Sequence, residues 1–111
     1  MRFDDLVAEA LDALPEWVLD RMENVEVLVE DHPPADEPDL LGRYDGVPLA
    51  ERGADYGFVL PDTITLFRRP IERVAGSDPD ALRREITQTV VHEVAHHFGI
   101  SDDRLHDLDA Y

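Results

Sequence analysis

The period of the apolar positions changes several times along this 111-residue chain, and each change marks an element. From Phe3 to about Leu14, the residues Leu6, Val7, Ala10, Leu11 and Leu14 recur at helical spacing, which predicts an amphipathic helix. Pro15 is suited to open a second short helical segment, because its fixed φ matches a first turn, and Trp17 and Leu19 are expected in the core. Between Val25 and Glu30 the period falls to two: Val25, Val27 and Val29 share one face, the pattern of a half-buried strand. Asp31 to Asp39 then holds three prolines and four acids, a composition that resists helix and sheet and predicts an extended, solvated loop. His32, inside that loop, is expected to be exposed.

Tyr56 to Leu60 and Thr63 to Arg68 both read as strands, with Pro61-Asp62 as turn chemistry between them, so a hairpin is expected. Val74-Ala75-Gly76 reads only as the end of the connection that follows. The strongest helix signal comes next. Ser77 or Asp78 can serve as N-cap, Pro79 suits the first turn, and Asp80 opposes the positive end of the helix dipole. Gly99 is the matching stop, which gives a helix over residues 79 to 98. Its apolar arc comprises Ile86, Val90, Val91, Val94 and Phe98, and Ser101-Asp102-Asp103 can cap a last short helix towards Leu108. Helices and strands in this order describe one α+β domain spanning residues 1 to 111, without internal repeats.

Charge narrows the class of partner. The formal net charge is -16 and all ten basic residues are arginines, which argues against nucleic acid and anionic membrane surfaces. The absence of cysteine removes disulfides, thiolate metal sites and thiol nucleophiles. Acids follow Met1 where a secretory signal needs a basic and then an apolar run, so a cytoplasmic location is expected.

The candidate chemistry lies late in the long helix. His92 and His96 in His92-Glu93-Val94-Ala95-His96 are one turn apart on the same face, about 6 Å along the axis, so their imidazoles can converge on one ion. Glu93 lies about 100° round the helix from His92, beside such an ion and placed to act as general base on its water. Two histidines with an adjacent glutamate point to Zn2+. A catalytic zinc needs a third protein ligand. After the reversal allowed by Gly99, Asp102 is the first side chain placed to return, with Asp103 and His106 as substitutes. His97 points about 100° away from His96 and is expected to be packed, with its ring able to bond a carboxylate.

VVHEVAHHFGISDD resembles the zincin metallopeptidases, and Asp102 matches the last position of the HExxHxxGxxD pattern of Asp-zincins. LPEWVLDRMENVEVLVED, LLGRYDGVPLAERG and PDTITLFRRPIER, in that order, extend the likeness to the small bacterial mini-zincins over nearly the whole chain. The resemblance implies a minimal zincin-like fold, with helices on a short mixed sheet of three to four strands and a long active-site helix. It also implies zinc on His92, His96 and Asp102, Glu93 as general base, and a peptide or protein substrate. By order alone, the strand that pairs with substrate would be Tyr56 to Leu60, where Gly57 allows close backbone approach. Tyr44, Tyr56, Tyr111 and Arg69 are candidate oxyanion donors. Two departures stand out. The only methionines, Met1 and Met22, are far upstream, so no methionine turn follows the third ligand, and the sequence closes at Tyr111, where larger zincins build a lower cleft wall. The second departure motivates an alternative, a zinc-stabilised module that holds a peptide without cutting it.

Overall fold

The computed structural model describes residues 2–22, 24–46 and 61–100. Their elements are α1 (Phe3–Asp12), α2 (Glu16–Asp20), β1 (Val25–Glu30), β2 (Gly42–Asp45), β3 (Asp62–Phe67), α3 (Arg68–Ala75) and α4 (Pro79–His97). The fold is α+β, four helices on a three-stranded mixed sheet of order β1-β3-β2. β3 is central, parallel to β1 and antiparallel to β2. Register places Val27 beside Ile64 and Ile64 beside Tyr44, and likewise Val29 beside Leu66 and Leu66 beside Gly42. One face of the sheet therefore runs Val27-Ile64-Tyr44 and Val29-Leu66-Gly42, and the helix layer covers it.

α4 begins as its sequence dictates. Asp78 caps it by accepting the Asp80 N–H at 3.0 Å, and Pro79 occupies the first turn. Its end is equally well defined. Ile100 N–H donates back to the Ala95 carbonyl at 3.0 Å and Gly99 N–H to that of His96 at 2.9 Å, with Gly99 at φ 90°, a Schellman turn. Ile86, Val90 and Val94 bury the stripe that faces the sheet, and Phe3, Leu6, Val7 and Ala10 of α1 close the core from the other side. Glu9 and Arg83, 3.1 Å apart, tie the exposed flanks of α1 and α4.

Several expectations are corrected. Trp17 and Leu19 are exposed; α2 is a short helix that buries only Val18, so its neighbours in sequence face outward. Val91 is also exposed, at the rim of the α4 stripe. Arg68 to Ala75 is a helix, not a bare connection; it anchors through Pro70 and Ile71, too few apolar positions for a legible period. β2 has no counterpart among the expected elements. Of the expected hairpin, the second arm is β3, which begins one residue early with Asp62 inside the strand, and the first arm, Tyr56 to Leu60, lies outside the described residues. Three expectations are met: β1 has the alternating burial of a half-buried strand, 31–39 forms neither helix nor strand, and His32 is exposed, while the expected last short helix towards Leu108 lies outside the described residues. No helix among the described residues is long and apolar enough to cross a membrane.

Candidate metal centre

Because α4 buries Ile86, Val90 and Val94, the residues a third of a turn round the helix are left facing a cavity of about 640 Å³ between α4, β2 and the loop before it. Glu85, Thr89, His92, Glu93 and His96 line it from the helix, and Gly42, Arg43 and Tyr44 from the strand. The approach of the two walls depends on Gly42. A Cβ there would stand 2.8 Å from Thr89 Cγ2 and 3.3 Å from Glu93 Cγ, so any side chain would push β2 off the helix.

His92 and His96 have ring centroids 4.6 Å apart and planes inclined at 50°. Glu93 is 5 % exposed, and its Oε1 lies 3.6 Å from His96 Nδ1. The donor set fits zinc. Two nitrogens on one tetrahedral ion stand roughly 3.4 Å apart, within reach of rings at this separation, and imidazole is a preferred ligand. Among the described residues, no group of three or more His, Cys, Asp or Glu side chains is assembled to hold a metal. Asp102, Asp103 and His106, the candidates for a third position, lie outside the described residues.

Three acids besides Glu93 border the cavity, Glu37 and Asp39 from the loop before β2 and Glu85 from α4. Arg43 is bound to Asp45 at 2.9 Å, and that hydrogen bond and charge hold its guanidinium even more firmly protonated. Of the candidate oxyanion donors, Tyr44 reaches the cavity but donates its hydroxyl to Asp62 at 2.7 Å. Arg69 is on α3, pairs with Glu72 at 3.4 Å and does not line the cavity; Tyr56 and Tyr111 lie outside the described residues.

His97 is 1 % exposed, and its Nδ1–H donates to Asp62 Oδ2 at 2.9 Å, the packed, carboxylate-bound state expected of it. Asp62, by contrast, reads in the sequence as turn chemistry. A usable signal is present all the same, since Asp62 has the same parity as Ile64 and Leu66 and therefore belongs to the buried face.

A family model described as zincin-like metallopeptidase matches residues 22–111, a stretch that starts after α2 and includes the whole sheet and α4. Among solved structures, a conserved hypothetical protein from Thermus thermophilus is similar. It shares 30% identity over 87% of this chain and 91% of that one, with a TM-score of 0.58. No curated protein matches the chain.

Proposed function

The chain belongs to the zincin-like metallopeptidase family, and from that premise we propose that it is a zinc-dependent peptidase with an Asp-zincin type site. His92 and His96 hold the ion, Asp102 is the third ligand, and Glu93 is the general base. The observation that carries this reading is the burial of the Glu93 carboxyl group at the foot of a cavity whose wall also presents both imidazoles. A carboxylate is seldom fully buried unless it is paired, and one beside a histidine at the edge of a cavity is placed to accept a proton there.

Bound zinc supplies Lewis acidity, which acidifies water and polarises a peptide carbonyl. Glu93 Oε1 accepts the proton of the attacking water and delivers it to the leaving amine nitrogen, with the flank of β2 at Gly42 keeping its side chain in place. The cavity volume falls within the range of about 300–1,000 Å³ usual for ligand sites. The acids Glu37, Asp39 and Glu85 favour a substrate with basic side chains over an acidic one.

The test is Glu93→Gln. With zinc content equal to wild type, hydrolysis of a mixed peptide library should fall by at least about 100-fold, the usual scale for loss of a general base. A zinc-loaded wild type that cuts no peptide in the library refutes the peptidase reading and leaves a peptide-holding module.

A further inference from the structure

His97 occupies an unusual place for a polar side chain. The buried stripe of α4 runs Ile86, Val90, Val94, and the next position in that series, three residues on, is His97 at 1 % exposure. An apolar side chain would fill the site without the desolvation that a buried imidazole and carboxylate incur. In place of apolar packing, Asp62 at the head of the central strand gathers two walls of the cavity on one oxygen. Oδ2 accepts from His97 Nδ1–H on α4 at 2.9 Å and from the Tyr44 hydroxyl on β2 at 2.7 Å. The ring of Tyr44 stands edge-on to His97, with centroids 5.8 Å apart. Gly46 presses on the same carboxyl group: a Cβ there would lie 2.4 Å from Asp62 Cγ, so the chain leaving β2 closes over it.

From this geometry we infer that Asp62 is a positioning residue for the metal centre: through His97 it fixes the rotation of the last turn of α4 and so the aim of His96. The inference rests on His96 being a metal ligand. With Cα atoms about 2.3 Å from the helix axis and an imidazole nitrogen some 4.5 Å farther out, a rotation of about 10° moves that nitrogen roughly 1.2 Å. Metal–ligand distances tolerate only about 0.2 Å. Apolar contacts resist such a rotation weakly; a short directional bond from His97 to a buried carboxylate resists it strongly.

Zinc affinity of the full chain, measured by competition with a chromogenic chelator, tests this alongside the visible spectrum of the cobalt(II)-loaded protein. Asp62→Ala should bind zinc about 10- to 100-fold more weakly, the usual cost of losing an outer support of a metal site, and Asp62→Asn should fall between it and wild type. The core variant Ile71→Ala, buried on α3 away from the cavity, controls for lost stability and should keep wild-type affinity and spectrum while folded. Tyr44→Phe, which removes only the bond to β2, should stay within about twofold of wild type. If Asp62→Ala does not fold, Asp62→Asn decides, by its affinity and by a change in the cobalt bands. Wild-type affinity and spectrum in a folded Asp62 variant overturn the inference, as does a loss in Ile71→Ala or Tyr44→Phe equal to that in Asp62→Ala. A wild type that binds no zinc overturns the metal site itself, and this inference with it.

Discussion

Replacing Gly42 by alanine probes the tightest contact between the two walls of the cavity. The new Cβ would lie 2.8 Å from Thr89 Cγ2, 3.2 Å from the Thr65 carbonyl oxygen and 3.3 Å from Glu93 Cγ. None of these neighbours yields easily. The carbonyl belongs to the backbone of β3, Glu93 is buried, and Thr89 is β-branched with its hydroxyl donating to the Glu85 carbonyl at 2.8 Å. Against this, alanine in a strand is favoured over glycine by about 0.5–1 kcal/mol through backbone entropy. Overpacking an interior costs about 1–3 kcal/mol and wins, for a net loss of roughly 1–2 kcal/mol. Urea denaturation reads it as a lower midpoint at unchanged slope. Thr89→Ser removes the closest methyl and keeps the hydroxyl, so the double variant should recover about 1 kcal/mol, a coupling of the size found between touching residues. A Gly42→Ala protein as stable as wild type, or no recovery with Thr89→Ser, refutes the close approach of β2 to α4.

Two further outcomes concern the ion. Saturating zinc should raise the melting temperature over chelated protein, with about 2.7 kcal/mol gained at a free concentration 100 times the dissociation constant, and His92→Ala or His96→Ala should abolish that rise in differential scanning fluorimetry. Metal content after zinc loading and desalting should drop in Asp102→Ala and stay stoichiometric in His106→Ala; the reverse pattern moves the third ligand to His106.

What the sequence makes legible is whatever announces itself locally. The cap at Asp78, the proline after it and the stop at Gly99 bound α4 almost to the residue, and the alternation of Val25, Val27 and Val29 marks β1. Those signals also establish that His92 and His96 share a face and that His97 does not. β2 escapes because it has four residues, with glycine at its most buried position and Arg43 and Asp45 pointing the other way. Its stability comes from pairing with β3 and from packing on α4, neither of which leaves a local mark. α3 escapes for a similar reason, and Trp17 and Leu19 mislead because apolar residues are common on surfaces. Asp62 is the instructive case: an aspartate after a proline satisfies turn chemistry, and only its partners 18 and 35 residues away make it a buried acceptor.

The Schellman turn at the end of α4 bears on how the proposed site would acquire an ion. The carbonyls of Ala95 and His96 are already engaged by Ile100 and Gly99, so the turn carrying the second histidine is closed off without any help from a ligand. Small zinc modules whose ligands lie on unformed chain spend much of the metal's binding energy on folding. Here the helical half of the proposed site is already folded, so that expense would fall away for His92 and His96. On the proposed reading, zinc would bind to an α4 that is already folded, so its binding energy would add to the stability of a folded chain rather than form the turn that presents His96.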